Sequence, residues 1–166
     1  TPWQQAAIIQ HATFEQLEAQ QASNETAAHR VVGLVVETRP DAISAESLSL
    51  IRRLGCTKVQ IGIQSLDARI LALNSRSGTS VDRIADAFAL LRLFGFKIHA
   101  HFMANLLGAS PEEDKRDYQR LVRDEAFLPD EVKLYPCALV GGTGLCAHHD
   151  DGTWRPYTDD ELLDVL

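Results

Sequence analysis

Apolar positions along the 166-residue chain follow two rhythms, and the rhythms alternate. Short stretches in which every residue or every second residue is apolar predict strands, and stretches with three-to-four-residue spacing predict helices. The first clear strand is Val31 to Val36, in "VVGLVVETRPD", an apolar run that delivers Glu37 and Arg39 to its end against Pro40. Three more strands follow: "KVQIGIQS" (Lys58 to Ser65), "FKIHAHFM" (Phe96 to Met103) and "EVKLYPCA" (Glu131 to Ala138). Between the first two, Ser44 caps a helix with the stripe Leu48, Ile51 and Leu54, which Gly55 closes as a left-handed residue. A short helix runs from Asp67 to Leu73. Ser80 then caps Val81 to Phe94, where Val81, Ile84, Phe88 and Leu91 face inward and Gly95 ends the helix. Ser110, Pro111 and Glu113 supply a cap, a first-turn proline and a capping box for a helix to about Phe127.

At the ends, residues 3–22, with Trp3, Ala7, Phe14 and Leu17, predict a helix, and Asn24 caps a turn from Glu25 to His29. Thr158 with Glu161 opens a last helix. The order is strand then helix, four times over. Crossovers of that length predict parallel strands, right-handed connections and helices on the outside. The fold class is therefore α/β, a parallel sheet forming part of a β/α, TIM-like barrel.

In such folds ligands bind where the strands end. Strand one brings Glu37 and Arg39 there, and strand two brings Gln64 and Ser65, with Arg76 in the loop beyond. Strand three places His99 and His101 on one face, and strand four does the same for Lys133 and Tyr135. Each has a plainer explanation. Glu37 and Arg39 could pair with each other or with a helix, and a His-x-His is more often structural than metal-binding. A glutamine ending a buried strand needs amide partners, and Gly62 beside it permits close backbone approach. Lys133, between Val132 and Leu134, points into whatever the sheet encloses, where an unpaired ammonium is costly. Four consecutive strands behaving this way predict a polar ligand at the mouth of the sheet.

Composition narrows the setting. A formal charge of −7 means that any nucleic acid is gripped by a local patch or by parts outside this sequence. Cys56, Cys137 and Cys146 are odd in number, far apart and without metal spacing, which suits a reducing cytoplasm. No apolar run is long enough to cross a bilayer, so a soluble protein with no membrane partner is expected. "GGTG" (Gly141 to Gly144) lacks the P-loop lysine and is read as a flexible turn that precedes no clear helix. "HHDD" (His148 to Asp151) is read as a polar loop, and "DKRDYQRLVRDE" as an exposed helix face with i,i+4 charge pairs. A start at Thr1 and a helix opened only near the end predict a segment of a longer protein.

The blocks "NETAAHRVVGLVVETRPD", "LGCTKVQIGIQSLD", "GFKIHAHFM", "PDEVKLYP" and "GTGL", in this order and spacing, resemble the elongator catalytic subunit family. Members are radical-SAM and acetyltransferase enzymes that modify the wobble uridine of tRNA. The resemblance runs from about Asn24 onward. It implies that residues 1–166 are the C-terminal part of a radical-SAM domain, with the cluster-binding part upstream and an acetyltransferase domain downstream. It implies S-adenosylmethionine and an iron–sulfur cluster as cofactors and acetyl-CoA as substrate, with a 5′-deoxyadenosyl radical acting on the acetyl group. Implied partners are tRNA, held mostly outside this segment, and other elongator-type subunits.

Carried over by position, the resemblance assigns Glu37, Arg39, Gln64, Ser65, Arg76 and His101 to the cofactor, and Lys133 and Tyr135 to substrate. It names no catalytic residue and no metal ligand here. The cluster motif C-x-x-x-x-C-x-x-C or similar is absent, so the segment alone is expected to be inactive. Ala104, Asn105 and Leu107 depart from the family pattern after "HFM", and His99 replaces a usually apolar residue. Alternatives are another radical-SAM enzyme near the porphyrinogen oxidases, a metal hydrolase barrel using His99 and His101, and a non-catalytic remnant that only binds.

Overall fold

The computed structural model of the protein describes residues 12–76 and 78–165. The chain divides into two compact units, one ending at Leu34 and one running from Val35 onward. In the first, helix α1 spans Phe14–Glu25, opened by a reciprocal capping box between Thr13 and Gln16. The predicted helix over residues 3–22 is thus shifted, and its part before residue 12 lies outside the described residues. Asn24 caps no following turn. Its side-chain amide instead holds the backbone of Val31 from both sides, at 2.9 Å to the N–H and 2.8 Å to the carbonyl.

That clamp helps explain why the first strand starts later than predicted: with Val31's backbone groups taken, β1 is Val35–Thr38, and Glu37 lies within it. Nor is it fully buried, because among the described residues β1 has a sheet neighbour on one side only, and Val35 is exposed. The other strands are β2 (Lys58–Gln64), β3 (Lys97–Ala104) and β4 (Glu131–Pro136), each within a few residues of expectation. All pair in parallel in the order β1-β2-β3-β4. Sequential order with crossovers of one hand puts the crossover helices on one side of the sheet, the arrangement of a barrel wall rather than of a doubly wound sheet.

Helices α2 (Ala45–Arg53), α3 (Ala68–Leu73), α4 (Val81–Leu93) and α5 (Pro111–Arg123) start where Ser44, Asp67, Ser80 and Ser110 accept backbone N–H groups. Gly55 and Gly95 end α2 and α4 with φ of 93° and 74°. Helix α5 stops at Asp124 rather than near Phe127, because Asp124 turns extended and its carboxylate takes the N–H of Ala126. That turn drops Phe127 into the core against Phe88. The core joins Leu48, Ile84, Phe88, Leu91 and Leu121 of the helices to Val59, Ile61, Ile63, Ile98, Ala100 and Phe102 of the sheet. Each such burial other than that of Ala100 contributes about 1.5–3 kcal/mol.

After β4, "GGTG" does precede a helix, contrary to expectation: α6 (Leu145–Asp150) begins directly after Gly144 and includes both histidines of "HHDD". Helix α7 (Asp159–Val165) opens on the predicted Thr158–Glu161 box. It lies along α5, with Lys115 of α5 bonded to Asp164 at 2.6 Å.

Candidate functional site

Strand residues alternate between two faces, so the face opposite the helices is determined by register. One tier across it holds Glu37, Gln60, His99 and Glu131, and the next holds Gly62, His101 and Lys133. Met103 and Tyr135 follow above. A barrel interior is usually filled by branched apolar side chains. Here a whole face, not merely the strand tips, carries polar groups.

Gln64 reaches this face through a backbone irregularity. The β2–β3 register slips between Gly62 and Gln64, and Gln64 adopts φ 68°, which is costly for a side-chain-bearing residue. The turn folds its amide back over Gly62, where an added Cβ would lie only 3.1 Å from Nε2. A side chain at residue 62 would crowd that approach. Tyr135 donates its hydroxyl to Gln64 Oε1 at 3.2 Å, which leaves the amide N–H₂ as the free donor.

His101 is buried between these groups and Glu37, with Nδ1 3.3 Å from Glu37 Oε1. Burial, the largest influence, lowers the imidazole pKa, and nearby His99 and Lys133 push the same way against Glu37. The ring is thus neutral near pH 7. Lys133 lies over the Tyr135 ring at 5.4 Å and has no acidic partner among the described residues. In the lower tier Lys58 grips both oxygens of Glu131 at 2.7 and 2.8 Å, and that hydrogen bond holds the Glu131 carboxyl below its usual range. His99 Nδ1 lies 3.3 Å from Glu131 but out of line for a hydrogen bond.

Glu37, Gln64, His101, Lys133 and Tyr135 are therefore brought to one face, as expected. Two expected residues are not. Arg39 turns to Asp41 at 3.0 Å outside the site, because the chain enters a 3-10 turn at Pro40–Ala42. Ser65 points to the helix side, where its hydroxyl donates to Asp117 at 2.5 Å and accepts from the N–H of Asp67. Arg76 sits in the loop after α3, half-buried, with no side-chain partner among the described residues. That loop is pinned near the end of β3 by Asn74, whose amide bonds the backbone of Leu107.

The charge spacing of α5 predicts an exposed face, but Asp114 is buried and Asp117 half-buried. Asp114 accepts from the N–H of Asn105 and the Tyr157 hydroxyl, both at 2.8 Å. Asp117 accepts from Ser65 and from the N–H of Leu66 at 2.8 Å. Burial raises both carboxyls above their ordinary range. The signal was there: Asp114, Asp117, Tyr118 and Leu121 follow the core-facing i, i+3, i+4, i+7 spacing. Asn105, a departure from the family pattern, has φ 59°, accepts from the buried Trp154 indole and donates to the carbonyl of Arg155. It thereby straps residues 154–157 to the end of β3. Beside the strap is a cleft of about 590 Å³. Its one guanidinium, of Arg155, is already bonded to Glu161, so the polar sheet face is the stronger candidate.

His99 and His101 meet different carboxylates, and among the described residues no three His, Cys, Asp or Glu side chains converge to hold a metal. The hydrolase reading thus has no third ligand here. What the face can do is receive a small polar ligand: a carboxylate for a cation or hydroxyls, an amide donor, and an imidazole.

Residues 9–121 match the profile of the radical SAM superfamily. The chain is 39% identical over 150 residues to the tRNA uridine(34) acetyltransferase of Methanocaldococcus infernus, covering 90% of this chain and 28% of that protein. It is 32% identical over 155 residues to Elongator complex protein 3 of Schizosaccharomyces pombe, covering 93% and 28%. The chain thus spans less than a third of the length of these relatives. Among solved structures it resembles the archaeal M. infernus Elp3 at a TM-score of 0.84 and 39% identity, over 91% of this chain and 35% of that one. It also resembles coproporphyrinogen III oxidase from Escherichia coli at 0.64 and 16%, over 93% and 35%, a likeness of fold alone. With its sequential parallel strands, outer helices and polar inner face, the chain belongs to the radical SAM superfamily.

Proposed function

We propose that this chain is the S-adenosylmethionine-binding wall of a tRNA uridine(34)-modifying enzyme that uses acetyl-CoA as substrate. The observation that carries the reading is the joint placement of Glu37, Gln64 and His101 on one sheet face, in a chain 39% identical to a tRNA uridine(34) acetyltransferase. S-adenosylmethionine has an ammonium, a carboxylate, a ribose diol and a sulfonium. The Glu37 carboxylate suits the ammonium or diol, the free Gln64 amide N–H₂ suits an oxygen acceptor, and Arg76 suits the carboxylate. His101 Nε2 is buried without a hydrogen-bond partner among the described residues, as expected of an atom that meets a ligand. Arg39 and Ser65 have no part in this reading.

The donors for an iron–sulfur cluster do not fit: Cys56 is buried in the core, and Cys137 and Cys146 belong to no metal-holding group among the described residues. The cluster is assigned to another part of the intact protein, as is the acetyltransferase domain. When bound, the cofactor supplies the one-electron chemistry, and this chain's share is to bind and orient. Lys133 and Tyr135 fit the substrate side, Tyr135 also aiming the Gln64 amide. The net charge of −7 favours a main tRNA grip outside this segment, and the reading takes a cytoplasmic location and elongator-type subunits as partners. No helix among the described residues is long and apolar enough to cross a membrane.

In the intact protein, Gln64→Ala is expected to weaken S-adenosylmethionine binding by about tenfold, measured by calorimetry, with matching loss of uridine(34) modification. Unchanged affinity and cofactor cleavage would contradict the reading.

A further inference from the structure

His101 Nε2 is a buried ring nitrogen without a hydrogen-bond partner among the described residues, on a ring whose other nitrogen lies 3.3 Å from Glu37 Oε1. The ring stands edge-on to His99, with centroids 5.3 Å apart, and edge-on to Tyr135 at 6.4 Å, so neighbours on both sides set its plane. A neutral imidazole carries one proton, and which nitrogen holds it depends on what the other meets. At 3.3 Å from a carboxylate, Nδ1 is the nitrogen that keeps the hydrogen. Nε2 is then a bare acceptor.

The groups around the ring favour this neutral form. Among the described residues, Glu37 on β1 is the one charge that would support a cation. β2 presents only Gly62 and Gln64 at this level, since Lys58 is bonded to Glu131 in the lower tiers. His99 on the same strand and Lys133 on β4 both oppose protonation, and Tyr135 is engaged with Gln64.

The geometry points to His101 as a binding residue of fixed tautomer, which aims the Glu37 carboxylate through Nδ1–H and takes one O–H or N–H of the ligand on Nε2. The inference rests on the S-adenosylmethionine reading and specifies how that cofactor's donors, the ribose hydroxyls or the ammonium, are selected. A ligand offering only acceptors at this point would leave two acceptors facing one another. Acid would do the same to the protein's side, because a protonated Nε2 donates and repels the donor it should receive.

The test separates the two nitrogens. Asparagine at this position reaches only as far as Nδ1, whereas the glutamine amide oxygen reaches as far as Nε2. In the intact protein, His101→Asn is expected to lose about tenfold in S-adenosylmethionine affinity at neutral pH by calorimetry. His101→Gln keeps most of the affinity and abolishes the decline that wild type shows on acidification. Long-range ¹H–¹⁵N spectra of the unliganded wild type should show His101 protonated at Nδ1. A hydrogen on Nε2 overturns the inference regardless of which cofactor the enzyme uses. Equal losses in both variants, with the acid decline unchanged, also overturn it and reduce His101 to a packing role. A wild type showing the Nδ1–H form but no affinity for S-adenosylmethionine overturns the proposed function instead, and with it the identity of the donor.

Discussion

Gly62 and Gln64 behave as a unit, and neither is explicable alone. The amide of Gln64 can lie where it does because Gly62 has no side chain, and it is aimed because Tyr135 holds its oxygen. Gly108 shows the same logic outside the site. Its φ of 86° is the left-handed conformation that glycine favours, and an added Cβ would lie 2.6 Å from Leu73 Cδ1 and 3.1 Å from Arg69 Nη1. Gly108→Ala is therefore expected to destabilise the fold by about 1–3 kcal/mol in urea denaturation, through both strain and overpacking. The positive φ at Gly55 and Gly95 follows from their positions after helices, but that at Gln64 and Asn105 could not be read from the sequence. Those two are set by contacts with residues distant in the chain.

Helix α5 works as a double anchor. One carboxylate, Asp117, binds the turn after β2, and the other, Asp114, binds the turn after β3 and the strap through Tyr157. In each, a single oxygen accepts both bonds, so an amide oxygen can take its place. Asp117→Asn should keep the fold, while Asp117→Ala should cost about 1–3 kcal/mol by leaving the Ser65 hydroxyl and the Leu66 N–H unsatisfied. The pH dependence has a definite sign. Both carboxyls are raised from 3.8 by burial, so their contribution to stability is complete below that pH and is lost as pH rises through their folded values. Asp130 acts oppositely: its bond to Lys97 lowers it, and its contribution is lost as pH falls. The Asp114→Asn, Asp117→Asn double variant should thus exceed wild type in stability at neutral pH, with the gain vanishing toward about pH 3. Urea midpoints at the two ends check this.

At the scale of the whole molecule, four strands form a wall whose inner face is polar and whose outer face is packed by helices. That division of labour predicts that the chain folds its polar sheet face yet holds no cluster. Reconstitution of the purified chain with iron and sulfide should give no cluster absorbance, while the intact protein should give it. Cluster binding by the chain would require cysteines to move from the places described here.

The sequence by itself determined the strand and helix order, most of the caps, the parallel α/β class and the strand-borne residues Glu37, Gln64, His101, Lys133 and Tyr135. Those depend on period, on local capping chemistry and on side-chain alternation, all encoded within a few residues. Tertiary structure alone decided that Arg39 leaves for Asp41, that Ser65 serves Asp117, and that Asn105 ties down the strap. It also decided that Asp114 is buried and that Asp117 is half-buried against the turn after β2. Each of these is a choice among polar partners that becomes available only when elements come together, and the energy of a hydrogen bond depends on which partner burial leaves within reach.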